Sequence, residues 1–269
     1  MTRLRDRFDA RRAEGKSALV IYITEGDPSP AATADIVRAA ADAGADAVEL
    51  GVPFSDPSAD GPVIQAAMQR ALGNGGSLKS ALATARAVRA AGCEVPLVLF
   101  GYYNPIFVYG TGRLAADARD AGIDALLTVD VPLGELGELA APSARAGLGV
   151  VPLVAPTSGD DRVAQAAALD PPFVYYISMT GITGAAFSGS AGGAERVAKV
   201  REAVRAPVAV GFGIKTGDDA RAVAAYADGV VVGSAVVSRI QAAGAQGAPA
   251  AVGEFVADLR RALDAPPRS

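Results

Sequence analysis

Short apolar runs recur along this chain, separated by alanine-rich stretches whose apolar residues return with helical spacing. Eight runs read as strands: 18–24, 46–50, 97–100, 125–129, 150–154, 174–178, 208–211 and 229–232. The stretches between them predict helices at 30–43, 111–121, 134–146, 160–168, 191–205 and 217–226, with two more inside 61–91. Helices near 234–243 and 250–263 close the chain. One theme repeats. AGADAVEL (43–50), AGCEVPLVLF (91–100), AGIDALLTV (121–129) and AGLGVVPLV (146–154) each place a glycine between a helical stretch and a strand, and YADGVVVG (226–233) is a looser copy. Glycine there suits the left-handed position that ends a helix. Continuous apolar strands alternating with helices imply a parallel sheet covered on its faces. Eight such units predict an α/β fold, a single-domain (β/α)8 TIM barrel over residues 1–269. A doubly wound open sheet is the alternative. The first residues predict an additional N-terminal helix with Leu4 and Phe8 facing inward, and 265–269 reads as a frayed tail.

Alternation along the strands then places side chains. Val48 and Leu50 share the face that meets helices, so Ala47 and Glu49 face the barrel interior, with Glu49 at its mouth. The same parity turns Tyr22 and Thr24, Phe100 and Tyr102, Leu127 and Val129, Tyr175 and Phe212 inward. In such barrels the active site lies at the C-terminal strand ends. A carboxylate ringed by large, mostly aromatic side chains suits a flat apolar ligand with a few polar handles. Burial should raise the pKa of Glu49 toward neutrality and let it exchange protons. The structural alternative is an ion pair or hydrogen bonds to loop N–H groups. Asp60, in Asp-Gly-Pro before a helix, reads equally as a helix cap or a functional group. Asp56, in Ser-Asp-Pro, reads as a turn or contact residue.

Composition narrows the chemistry. There is no histidine, which excludes histidine zinc sites and Ser-His-Asp triads and leaves acid–base work to Asp, Glu, Tyr, Lys or water. The lone Cys93 forms no internal disulfide and reads as filler in a reducing compartment. Net charge is −4 with both signs mixed, so no nucleic-acid patch stands out. No run approaches a membrane span, and Asp6, Asp9 and Glu14 break up the basic N-terminus, so a cytoplasmic protein is expected. Glycines follow the sixth, seventh and eighth strands, in TGITG (180–184), VGFGI (210–214) and at Gly233-Ser234, where the last helix opens. Barrels often grip phosphate there with backbone N–H groups.

Six motifs, in order, resemble the tryptophan synthase α-subunit family over nearly the whole chain: ELGVPFSDPSADGPVIQ (49–65), GYYNPI (101–106), VDVPLGE (129–135), YYISMTGITG (175–184), VGFGI (210–214) and VVVGSA (230–235). The resemblance implies retro-aldol cleavage of indole-3-glycerol phosphate to indole and glyceraldehyde 3-phosphate. Glu49 is then the proton donor to the indole ring, Asp60 the acceptor of the indole N–H, and Tyr175 an aid to positioning and proton handling. Ile64 and Thr183 join the substrate-binding residues, and Gly184, Gly213, Gly233 and Ser234 hold the phosphate. No metal and no cofactor are implied, since pyridoxal phosphate belongs to the partner β subunit of an α2β2 heterotetramer. Pro53, Phe54, Asp56 and Pro57, with Asn104, Asp130 and Pro132, are implied as the partner surface and its allosteric signalling elements.

Two departures from the family pattern stand out. The loop 185–193 carries no basic residue and many small ones, which reads as a mobile lid; Tyr22 stands where a plain apolar aromatic is common, and its hydroxyl needs a partner if buried. Three rivals stay in view. They are a free-standing lyase of the same family, a non-catalytic regulatory subunit, and a phosphosugar isomerase on the same barrel.

Overall fold

Alternating burial decides the architecture, and a computed structural model describes residues 3–177, 193–211 and 213–265. The chain runs α1 (Arg3–Ala13), β1 (Ala18–Thr24), α2 (Pro30–Asp42), β2 (Ala47–Gly51), α3 (Pro62–Gly73), α4 (Leu78–Ala90), β3 (Leu97–Gly101), α5 (Tyr103–Tyr109) and α6 (Thr111–Asp120). It continues through β4 (Ala125–Thr128), a 3-10 turn at Leu133–Glu135, α7 (Gly137–Arg145), β5 (Gly149–Val150), β6 (Leu153–Val154), α8 (Asp160–Ala168) and β7 (Val174–Ile177). The last elements are α9 (Gly193–Val204), β8 (Val208–Gly211), α10 (Gly217–Ala224), β9 (Gly229–Val232) and α11 (Ser234–Asp264). α11 is broken at Gly244, as its two-helix reading predicts. Gly44, Gly92, Gly122 and Gly147 all hold positive φ, so the repeated glycine is the helix stop that its place implies.

All strand pairs are parallel, and the ring closes through the fifth strand. The single strand expected at 150–154 is two pieces. β5 pairs with β4 and β6 pairs with β7. Pro152 lies between them and has no N–H to give. Val151 N–H still reaches Leu126 O at 2.9 Å, and Pro152 O accepts Tyr175 N–H at 3.0 Å, so the seam stays bonded. The helix α5 is not foreseen by the apolar pattern. It is one short run with Pro105 in its first turn, and it buries Ile106 but leaves Phe107 65% and Val108 77% exposed.

Two separate clusters form the core. Leu19, Ile21, Ile23, Val48 and Leu50 pack outward against the helices. Val20, Tyr22, Ala47, Val98, Phe100, Leu127 and Ala209 fill the interior, as parity predicts. Leu4 and Phe8 of α1 belong to the interior cluster too. Phe8 stacks on Phe173 at 4.9 Å between ring centroids, and a Cβ at Gly229 would come within 2.7 Å of its ring. The N-terminal helix is thus the floor of the barrel.

Three aspartates fasten the strand feet. Asp46 takes Leu19 N–H on its carboxylate at 2.9 Å and gives its own N–H to Leu19 O at 2.8 Å. Asp124 does the same with Leu97, and Asp228 with Val208. Each carboxylate is also paired with arginine: Asp46 with Arg11 (2.7 Å) and Arg260 (3.0 Å), Asp124 with Arg3 (2.9 Å) and Arg89 (3.1 Å), Asp228 with Arg201 (2.7 Å). The repeat therefore carries a register clamp as well as a glycine stop.

Glu25 is a different kind of buried acid. It follows β1 on the helix-facing side, is fully buried, and neither carboxylate oxygen has a hydrogen-bond partner. Burial raises its pKa, while the hydroxyls of Thr84 and Ser80 face it and act in the opposite direction without bonding geometry.

Two stability predictions follow from that contrast. Asp46→Ala removes the acceptor of the buried Leu19 N–H and takes a carboxylate from both Arg11 and Arg260, which keeps only that of Asp264, and should cost about 3–5 kcal/mol in denaturant melts. Glu25 binds its proton more tightly folded than unfolded, so its contribution is favourable in acid and is lost as pH rises past the ordinary carboxylate range. Glu25→Gln should therefore melt higher than wild type at alkaline pH and lose that advantage in mild acid. A constant difference across pH would contradict it.

Candidate active site

β2 carries Glu49 with Ala47 on the inner face, and the neighbouring strands set its surroundings. Tyr22 of β1 and Val98 of β3 stand opposite Glu49 in the ladder. Glu49 is 1% exposed and its Oε1 has no hydrogen-bond partner. Desolvation raises its pKa to about 8, so the group is mainly protonated at neutral pH. The alternative of an ion pair or loop hydrogen bonds for Glu49 is not realised among the described residues.

Asp60 lies in the loop after β2 and does not cap the next helix. The cap of α3 is Gly61, with no side-chain hydrogen bond, followed by Pro62 at the first helical position. The carboxylate turns instead to Tyr102, whose hydroxyl donates to Asp60 Oδ2 at 2.7 Å and accepts Ala59 N–H at 2.9 Å. Burial raises the Asp60 pKa, and the Tyr102 hydrogen bond works against that rise. Gln65 Nε2 donates to Asp60 O at 2.7 Å and to Pro57 O at 3.3 Å, which fixes the loop backbone.

The tyrosines converge on these acids. Burial raises the pKa of both Tyr22 and Tyr175, and the charges of Glu49 and Asp60 add to the rise in each. Both rings rest on glycines. A Cβ at Gly51 would stand 2.2 Å from the Tyr22 hydroxyl, and one at Gly211 would stand 2.1 Å from that of Tyr175. Gly211, in a motif read as a phosphate signal, thus makes room for a ring. The Tyr22 hydroxyl finds its partner in Thr24 Oγ1, which donates to it at 3.4 Å, and its ring meets Phe100 edge-on at 5.1 Å. Leu127 is buried in the interior cluster, and Val129, Ile64, Leu153 and Tyr175 pack on it.

After β8, Gly213 has φ +73° and open space among the described residues where a Cβ would stand. Gly233 starts α11 beneath Ile64 and Tyr22. Its carbonyl accepts the N–H groups of Val236 and Val237, while the N–H groups of a helix's first turn lack intrahelical partners. Gly233 and Ser234 can therefore offer N–H groups to an anion. Thr183, Gly184, Phe212 and residues 185–192 of the expected lid lie outside the described residues, as do 266–269 of the expected tail.

Burial divides the residues expected at the partner surface. Pro53 is buried by its own chain beside Gly76, so it supports the loop and is not presented. Phe54 is half-buried and stacks on Tyr102 at 5.1 Å, Pro57 is half-buried, and Asp56 is exposed. Asn104, Asp130 and Pro132 line one groove of about 440 Å³ together with Tyr103, Phe107 and Glu138. Asp130 also accepts Tyr103 N–H at 2.9 Å and so tethers the start of α5. Sequence reasoning missed Gln65, Gly51, Leu153 and Phe107. The run IFVY, apolar without an obvious burial face, was the available signal for the last.

Comparison with known proteins agrees with this geometry. The sequence model of the tryptophan synthase alpha chain family matches residues 8–263. The chain is 48% identical to the tryptophan synthase alpha chain of Geobacter sulfurreducens over 263 residues, covering 98% of this chain and 99% of the relative. It is 46% identical to that of Burkholderia pseudomallei, covering 98% and 97%. Among solved structures, tryptophan synthase subunit alpha from Legionella pneumophila superposes with a TM-score of 0.91 at 34% identity, covering 98% of this chain and 99% of that one. Mycobacterium tuberculosis tryptophan synthase gives 0.89 at 34%, with the same coverage. With a closed parallel barrel, two inward acids at one mouth and full-length similarity, the chain belongs to the tryptophan synthase alpha chain family.

Proposed function

We propose that Glu49 and Asp60 carry out the lyase reaction of this family, cleavage of indole-3-glycerol phosphate to indole and glyceraldehyde 3-phosphate. The observation that supports it best is the buried Glu49, whose Oε1 has no hydrogen-bond partner and whose pKa is raised to about 8. A carboxylic acid protonated at working pH can give its proton to the ring carbon that bears the glycerol chain. Positive charge then develops at the ring nitrogen. Asp60 accepts the N–H and stabilises that charge, an electrostatic role at a site partly shielded from water. The Glu49 carboxylate, or a water, removes the proton of the adjacent glycerol hydroxyl. The carbon–carbon bond breaks, its electrons restore the aromatic ring, and the aldehyde leaves. Tyr175 positions the reacting groups, and Tyr22, Phe100, Leu127 and Val129 enclose the ring.

The phosphate end is held by Gly213, Gly233 and Ser234, joined by Gly184. Nothing in this scheme calls for a metal or a cofactor. The β subunit of the family is the partner, in an α2β2 assembly, and takes the groove of Asn104, Asp130 and Pro132 together with the Phe54–Pro57 loop. The intact acids weigh against a purely regulatory subunit, and the aromatic pocket weighs against a phosphosugar isomerase.

Indole release from indole-3-glycerol phosphate, measured for the protein alone and with a tryptophan synthase β subunit, tests the reading. Slow release that rises with β is expected; fast release indifferent to β would point to a free-standing lyase. Glu49→Gln should fold normally and lose about 10²- to 10⁴-fold in turnover. Because Glu49 must enter the reaction protonated, wild-type turnover should fall as pH passes about 8. A flat alkaline profile would remove Glu49 from the proton-donor role. Asp56→Ala should reduce stimulation by β more than basal turnover, and equal losses would exclude a signalling role for Asp56.

A further inference from the structure

One unbroken set of contacts runs from the partner groove to Asp60, and Tyr102 is its centre. Tyr102 is buried at the end of β3 and is the N-terminal cap of α5. The groove lies on the residues that follow it, Tyr103, Asn104 and Phe107, and α5 is tethered there by Asp130. On its other side the Tyr102 ring stacks on Phe54, with 30° between the planes. Its hydroxyl spans Ala59 N–H and Asp60 Oδ2.

Asp60 depends on this hydroxyl for its orientation. Gln65 fixes the backbone carbonyl of Asp60 but leaves its side-chain torsions free. Among the described residues, no other side-chain hydrogen bond reaches its carboxylate. The side chain does not cap α3 either.

We propose that Tyr102 is a positioning residue that holds Asp60 in its working orientation and, through the Phe54 stack and the start of α5, transmits partner docking to it. This rests on the lyase reading above. The hydroxyl cannot move without moving both hydrogen bonds, and a shift of α5 or of Phe54 moves the ring that carries it. A docked partner thereby tightens or loosens the grip on the carboxylate that meets the indole N–H.

Indole release by the full-length chain, with and without a tryptophan synthase β subunit, tests this with Tyr102→Phe, which keeps the stacked ring and deletes the hydroxyl. Turnover should fall about 10- to 100-fold, the scale of one hydrogen bond to a charged group, with a smaller change in KM. The acid limb of the pH profile should move to higher pH, because the lost donor favoured the ionised form of Asp60. In an Asp60→Asn background the same substitution should add little further loss. Phe54→Leu should lower stimulation by β by a larger factor than basal turnover. Wild-type turnover and pH profile in Tyr102→Phe would overturn the proposal. So would a lower rate with an unmoved acid limb, which is the mark of packing alone, or a full extra loss on Asp60→Asn, the mark of direct substrate contact. Equal losses in Phe54→Leu would overturn the transmitted part. Failure of the wild type to release indole even with β overturns the lyase reading and this proposal together.

Discussion

The reciprocal bond between a strand-foot aspartate and its neighbour fixes where every later residue of the strand points. Asp46 clamps Leu19 from both its side chain and its backbone, and Glu49 follows three residues later. A slip of one residue would carry Glu49 into the helix layer and Val48 into the pocket. Asp124 and Asp228 hold Leu97 and Val208 in the same way. These acids are affordable inside the protein because arginines meet them. Removing such a partner is costly, whereas the pairing itself adds little beyond an apolar substitute. Their value here lies in register.

Glu49 has the opposite design. It is as buried as Asp46 but meets no cation among the described residues, so its burial is expressed as proton affinity. One barrel thus holds paired acids at its foot, which make the shape, and an unpaired acid at its mouth, which has a proton to give. Glu25 is a second buried acid without hydrogen-bond partners, but it follows β1 on the helix-facing side and not in the barrel interior.

Much of this was legible in the chain because strand parity is a short-range property. Glu49, Tyr22, Phe100 and Leu127 sit where counting by twos puts them, and the four helix-stop glycines obey local backbone sterics. What escaped depends on distant partners. Gly51 and Gly211 look like strand-end glycines until the rings of Tyr22 and Tyr175 are laid over them. Asp60 could not be separated from a helix cap until Tyr102, 42 residues on, was seen to claim its carboxylate. Pro53 belongs to a surface motif but turns inward against Gly76. The short α5 spans only seven residues and mixes the buried Ile106 with the exposed Phe107 and Val108, so the periodic signal that marks the longer helices is weak in it.

The floor helix α1 has a consequence for how the chain is made. Its Phe8 lies against Phe173 and in the space above Gly229, and its arginines reach Asp124 and the carbonyls of Pro171 and Arg205. All of these sites lie more than one hundred residues downstream. During synthesis α1 is made long before these partners, and until they follow it has only β1 and the Arg11–Asp46 pair to hold it. The floor helix is therefore fully secured only after the segments that cover it from far along the chain, and until then Leu4 and Phe8 lack their distant packing partners.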